Sequence, residues 1–169
     1  MSFNLFCTSQ FQRYFHRTTF LYVNTIDRAF VQDIFEMRIL LESEAAYRAA
    51  VRGMERELLD SLLERLRHLR DHFDTLNAAD YVALNQAVHQ AVWQAAGNHQ
   101  LTKYLLELWN GPSVGHGENA AEHHYQASTP EHIDILESIR DRRPEDARKA
   151  MAGHIRRSME NMLAHYPEA

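Results

Sequence analysis

The sequence predicts an all-α protein, a bundle of six or seven helices. Only 6 glycines and 4 prolines interrupt the 169 residues, which favours long helices over a turn-rich β fold. Hydrophobic residues make up 45% of the chain and charged residues 24%, as in a globular protein with one core. From Asp27 onward, apolar residues recur at helical spacing in almost every segment.

Residues 1–26 differ from the rest of the chain. They hold five of the eight phenylalanines and show no helical period. Three interpretations stay open: an irregular arm that packs on the body, a remnant of a strand, or a stretch left by an altered reading frame. We therefore divide the chain into an irregular N-terminal arm, residues 1–26, and a helical domain, residues 27–169.

The first predicted helix covers about residues 29–51 and ends at Gly53, a residue that favours helix termination. Arg38 and Glu42 lie one turn apart on its apolar side, an unusual place for charges. The apolar residues that define this side are Val31, Phe35, Ala45 and Ala49. The second helix, about residues 55–74, is an amphipathic core helix. Its apolar side is made of leucines: Leu58, Leu59, Leu62, Leu63, Leu66 and Leu69.

The third and fourth helices are predicted over about residues 79–96 and 100–110. At 100° per residue, Asn85 and His89 point inward on the third helix. Gly97 and Asn98 end this helix, with Asn98 expected to act as a capping residue. Residues 111–127 are rich in glycine and histidine, and predict a loop that holds at most a short helix.

The last two helices are predicted over about residues 128–140 and 144–165. Ser128-Thr-Pro-Glu131 is typical of a helix start, with a hydroxyl cap and a proline in the first turn. On the apolar faces of these helices lie His132, flanked by Leu136 and Ile139, and His154, on the side of Met151.

His89, His132 and His154 thus lie on the inward faces of three different helices. Leaving three imidazoles unpaired in one interior would be costly, and a divalent metal is the usual way to use them together. Asn85 is stacked one turn before His89 and could share the ion. Imidazole nitrogens suit metals of the Zn, Ni, Cu or Mn class.

Other interpretations of the histidines stay open. Any one of them alone is more often a satisfied core residue, and a plain helical interaction module would contain no metal. A rival cluster, His116, His123 and His124, lies in the glycine-rich stretch and is more typical of a solvated loop. His68 and His72 lie near the polar side of the leucine-rich helix and are expected to be exposed.

Charge and cysteine content exclude several classes of protein. The net charge of -5 argues against a domain whose main function is to bind the phosphate backbone of nucleic acids. No stretch approaches the ~20 apolar residues of a membrane span. Cys7 is the single cysteine, so no internal disulfide can form, which fits a reducing cytoplasm.

Three segments carry the pattern of a known family. They are Asp33-Ile-Phe-Glu-Met-Arg38 with Leu41-Glu42 and Ala49-Ala50, then His89 with Ala95-Ala-Gly-Asn98 and Leu101, and finally Glu131-His132 through Pro144, Ala147 and Met151 to His154. Through them, residues 30–163 resemble the FCD effector domain of GntR-family transcriptional regulators, in the FadR-like subfamily. The separation of the last two histidines, 154 − 132 = 22 residues, is similar to that of the family.

The resemblance implies an antiparallel helical bundle that encloses a cavity, in which an aspartate and three histidines hold a divalent metal. By position, the ligands are Asn85, His89, His132 and His154, and Arg38 would face the carboxylate of a small organic acid effector. It also implies a homodimer. The chain departs from the family pattern because Asn85 replaces the acidic ligand. A neutral amide gives the site less attraction for a cation, so we expect weak metal binding.

The resemblance also sets expectations about DNA and catalysis. Full regulators of the family carry a winged helix-turn-helix before this domain, whereas residues 1–26 show no recognition helix, so we expect no DNA binding by this chain alone. The alternative is a small metal-dependent hydrolase, because three histidines with an open position also hold catalytic zinc. Its general base would have to be Glu42, whose expected use is pairing with Arg38. We therefore expect a sensor and no enzyme.

Overall fold

The protein is a bundle of α-helices. A computed structural model describes residues 27–73, 78–109 and 118–164, and within these ranges it contains six helices and no strand. The helices are α1 (Arg28–Arg52), α2 (Arg56–Asp71), α3 (Ala78–Ala95), α4 (His99–Trp109), α5 (Glu118–Arg140) and α6 (Pro144–Leu163). The all-α prediction is confirmed, and the arm assigned to residues 1–26 lies outside the described residues.

Helices α1 and α6 form the largest packing interface and run antiparallel. Where α1 begins, Nη1 of Arg28 donates to the carbonyl of Leu163, at the end of α6, over 2.6 Å. Where α1 ends, Nη1 of Arg142 donates to the carbonyl of Val51 over 3.0 Å, just before α6 begins. Helices α5 and α6 are joined only by residues 141–143, so they also pack as antiparallel neighbours.

The core follows the predicted apolar faces with one exception. Four alanines of α1 are completely buried, and such small side chains let neighbouring helices approach closely. Five of the six leucines predicted for the apolar side of α2 are buried, whereas Leu58 is 41% exposed. Leu58 is exposed because it lies in the first turn of α2. There Glu55 caps the helix by accepting from the Leu58 amide.

The fifth helix corrects the prediction for residues 111–140. It begins at Glu118, not at Ser128, and passes through Pro130 without ending. Ser128 and Thr129 are buried and do not cap a helix end. Oγ1 of Thr129 donates back to the carbonyl of Tyr125 over 2.9 Å, and Oγ of Ser128 accepts from Arg157 on α6 over 2.7 Å. Of the two hydroxyl groups that resemble a cap, that of Ser128 thus joins α5 to α6, and that of Thr129 bonds within α5.

Among the described residues, no helix combines the length and the apolar character needed to cross a membrane.

Gly53 is a position where we expect a substitution to destabilise the fold. It ends α1 with φ +93°, and a Cβ there would overlap the guanidinium of Arg142. Gly53→Ala should therefore lower the free energy of unfolding by about 1–3 kcal/mol. Gly153, within α6, is the matched control, because nothing lies within 4 Å of its added Cβ. Gly153→Ala should stabilise by up to about 1 kcal/mol. Urea unfolding of the three proteins measures both changes, and equal stabilities for Gly53→Ala and the wild type would contradict the expectation.

Candidate metal centre

The structure brings the three predicted histidines together inside the bundle. His89 comes from α3, His132 from α5 and His154 from α6, and their exposed fractions are 1%, 0% and 3%. Their Nε2 atoms form a triangle in which every side is 3.2 Å. Three ring nitrogens therefore converge on one point.

This triangle fits a metal ion of the zinc class. Tetrahedral nitrogen ligands with bonds of about 2.0–2.1 Å lie about 3.3 Å from one another. Three imidazole nitrogens at such distances cannot satisfy one another, because a shared hydrogen atom can serve only one pair. A set of buried imidazole donors is also the kind that binds divalent metals.

Glu42 orients His89 from the side opposite the triangle. Its Oε2 lies 2.5 Å from Nδ1 of His89 and accepts a second hydrogen bond from Nε1 of Trp93 over 3.1 Å. Its Oε1 accepts from Nε of Arg38 over 2.9 Å, which confirms the predicted Arg38–Glu42 pair. Burial alone would raise the pKa of Glu42, but the charges of His89 and Arg38 and the hydrogen bonds from His89 and Trp93 lower it to about 2. An ionised carboxylate only accepts, so Nδ1 of His89 carries the hydrogen.

Glu131 holds His154 in the same way. Its Oε2 lies 2.8 Å from Nδ1 of His154, and Arg157 donates to both of its oxygens. Burial opposes ionisation, yet hydrogen bonds from His154 and Arg157 lower the pKa of Glu131 to about 2. Burial, aided by the charge of His89, lowers the pKa of His154 to about 4 although Glu131 acts in the other direction. At neutral pH His154 is therefore neutral, as a metal ligand must be.

Arg38 lies beside the histidines, enclosed by aromatic rings. Its guanidinium carbon is 5.1 Å from the ring centre of Phe35 and 5.0 Å from that of Trp109. The Trp109 ring in turn lies 5.1 Å from the ring of His89. Arg38 thus points inward as predicted, and its guanidinium is engaged with Glu42 and two aromatic faces.

The remaining predicted residues are placed as follows. Asn85 is half-buried on α3, one turn before His89. His68 and His72 are exposed, as predicted, and stack on each other with ring centres 4.3 Å apart. In the rival cluster, His116 lies outside the described residues, as do the side chains of His123 and His124.

Sequence reasoning missed Glu131 as part of this site. In the sequence, Glu131 follows Ser128-Thr-Pro and is typical of a helix start. One signal was present: Glu131 directly precedes His132, while Arg157 lies three residues after His154. Opposite charges next to two inward histidines on neighbouring helices could have indicated a cross-helix ion pair.

Comparisons with known proteins agree with this architecture. The family model of the FCD domain matches residues 33–157. Among solved structures, the metal-free FCD domain of TM0439, a protein assigned as a transcriptional regulator, superimposes with a TM-score of 0.64 at 16% identity, over 83% of this chain and 96% of that one. Streptococcus agalactiae GntR superimposes with a TM-score of 0.59 at 22% identity, over 77% of this chain. This chain spans 58% of that GntR. The search of curated proteins gave no match.

Proposed function

The chain belongs to the FCD domain family, the effector-sensing domains of GntR-type regulators, and we propose that it binds a small carboxylate through a divalent metal ion. The observation that carries the proposal is the buried triangle of His89, His132 and His154, with Nε2 atoms 3.2 Å apart. The imidazole donors suit ions of the Zn, Ni and Mn class.

In this proposal, the three Nε2 atoms and the side-chain oxygen of Asn85 hold the ion. A dication that takes five or six ligands would keep positions open at this site for the oxygens of a carboxylate. Two features of the chain favour this use. Nδ1 of His89 and Nδ1 of His154 each face a carboxylate, which leaves Nε2 for the ion, and burial keeps bulk water from competing for the lone pairs.

Arg38 is proposed to supply positive charge for the effector. It is largely buried, with 14% of its side chain exposed, and its partner Glu42 also contacts His89. An anionic ligand on the metal would therefore lie near a guanidinium that is already oriented. Two aromatic rings around Arg38 hold it in place and weaken its hydration.

We further propose that the domain works in the cytoplasm as a homodimer and responds to ligand by a population shift. The ligand would favour one arrangement of the helices and, in a complete regulator, change the spacing of paired DNA-reading heads. The helices that carry the ligands, α3, α5 and α6, are the ones whose positions the ion would link.

A panel of small carboxylates tests the proposal. Acetate, lactate, succinate and citrate are titrated by calorimetry into protein loaded with Zn²⁺ or Ni²⁺ and into protein stripped by a chelator. We expect at least one acid to bind at least tenfold more tightly to the loaded form. Equal affinity for both forms would show that the acid does not bind through the metal, and an absence of binding to either form would contradict the proposed function.

The hydrolase alternative gains no support from the position of Glu42. A general base must reach a water molecule on the metal, at the Nε2 side of the histidines. Glu42 contacts Nδ1 of His89, on the opposite edge of the ring, and also accepts from Arg38 and Trp93. It is therefore placed to orient a ligand of the metal and not to take a proton from bound water.

A further inference from the structure

We propose that Glu42 and Glu131 are positioning residues of the metal centre, each fixing the ring tautomer and orientation of one histidine. This inference rests on the proposed metal function but concerns residues outside the ligand set. In metal sites, such outer carboxylates often decide which ring nitrogen carries the hydrogen.

The same chain of contacts occurs twice, once at His89 and once at His154. In the first, Arg38 donates to Glu42, which accepts from Nδ1 of His89. In the second, Arg157 donates to Glu131, which accepts from Nδ1 of His154. The first chain joins α1 to α3, and the second joins α5 to α6. Two histidines on different helices thus receive the same orienting contact.

Each carboxylate is surrounded by groups that can only donate. Arginine and the indole nitrogen of Trp93 carry no acceptor. Both oxygens of Glu42 are occupied by such donors, Arg38 on Oε1 and Trp93 on Oε2. The remaining contact, with His89, is satisfied when Nδ1 carries the hydrogen. Nε2 then presents its lone pair to the centre, where a metal can use it.

Glutamine at these positions would remove that requirement, because its NH2 group can face Nδ1. An amide has one accepting oxygen, and its nitrogen can only donate. If the amide oxygen of the Glu42→Gln variant faces Arg38, its NH2 group meets the indole N–H of Trp93 and also donates to Nδ1 of His89. The hydrogen of His89 would then move to Nε2 and block coordination.

The two positions differ in exposure, so their effects should differ in size. The Glu42 side chain is completely buried, whereas 29% of the Glu131 side chain is exposed. Glu131 and His154 both line a surface groove of about 380 Å³ between α5 and α6. Water can enter this groove and replace some of the hydrogen bonds that Glu131→Gln removes. The buried side chain at position 42 has no such access to water.

Histidine-ring NMR on the ¹⁵N-labelled, metal-free full chain tests the inference, followed by Zn²⁺ titration. We expect Glu42→Gln to move His89 alone to the Nε2–H tautomer and to weaken Zn²⁺ binding about 10–100-fold. Glu131→Gln should shift His154 alone, with a smaller loss of affinity. Glu44→Gln is the matched control, because Glu44 is also a glutamate paired with arginine, here Arg48 and Arg148, but contacts no histidine in the described structure. It should change neither the tautomers nor the affinity.

The outcomes separate this inference from the proposed function. Unchanged tautomers in both glutamine variants would overturn it, whether or not the protein binds Zn²⁺. Tautomer shifts in the glutamine variants, together with a wild-type protein that takes up no Zn²⁺, would support the positioning roles and contradict the metal function. If Glu42→Gln does not fold, the more exposed Glu131→Gln carries the test through His154.

Discussion

His132→Ala is expected to abolish the binding of Zn²⁺ and Ni²⁺, with a loss of affinity of at least about 100-fold. The substitution removes the ligand that α5 contributes, and the two remaining histidines come from α3 and α6. His132 is completely buried, and its Nε2 lies 3.2 Å from both partners, so no other described imidazole can replace it without a helix moving. Isothermal titration with both ions measures the change.

The control for this substitution is His68→Ala. His68 is exposed on α2 and its ring stacks on that of His72, away from the metal centre, so its removal should leave the affinity unchanged. Circular dichroism of both variants verifies that the helices persist. Wild-type affinity in His132→Ala would mean that the ion binds elsewhere, and His116, His123 and His124 would then be the next residues to replace.

Asn85→Asp is expected to raise the affinity for divalent ions by about tenfold or more, which corresponds to about 1.4 kcal/mol. The proposed ligand set, three imidazoles and one amide, carries no charge to offset that of the ion. Asn85 is half-buried and lies one turn before His89. In the proposed ligand set, a carboxylate at this position would bring a negative charge to the ion, and partly buried surroundings screen such an attraction poorly.

Asn98→Asp is the matched control for this gain. Asn98 caps α4, where its Oδ1 accepts from the amides of Gln100 and Leu101. Aspartate can serve the same cap, so this variant adds an equal charge outside the metal centre and keeps the fold. We expect its affinity to stay near that of the wild type. Equal affinities for Asn85→Asp and Asn98→Asp would remove Asn85 from the ligand set.

Periodicity was sufficient to predict most of the helices and the inward faces of the three histidines. The predicted α1, α3 and α4, over residues 29–51, 79–96 and 100–110, each differ from the observed helix by one residue at either end. Apolar residues recur at helical spacing in these segments, and glycine or a polar cap marks an end of each. The position of His89 on its helix face follows directly from such spacing.

The start of α5 could not be predicted because local and tertiary signals disagree there. Ser128, Thr129 and Pro130 together are typical of a helix start. In the folded protein, however, Arg157 of α6 donates to Ser128, and Thr129 bonds back within the helix. The sequence contains no local sign of the contact between Ser128 and Arg157, since these residues lie 29 positions apart.

The same limit applies to the orienting contacts. Sequence spacing relates Arg38 to Glu42 because both lie on one helix, and that pair was predicted correctly. The contact of Glu42 with His89 joins residues 47 positions apart, and its formation depends on how α1 and α3 are rotated against each other. Helical periodicity defines which face is inward but not which inward residues meet.

A crystal structure of the chain grown with Zn²⁺, with data collected at the zinc absorption edge, tests the central claim most directly. The account predicts one anomalous peak within the bundle, about 2.0–2.1 Å from Nε2 of each of His89, His132 and His154. A zinc peak elsewhere, with the three imidazoles still in the observed triangle, would contradict the account. Imidazoles that contact only water at high Zn²⁺ concentration would contradict it as well.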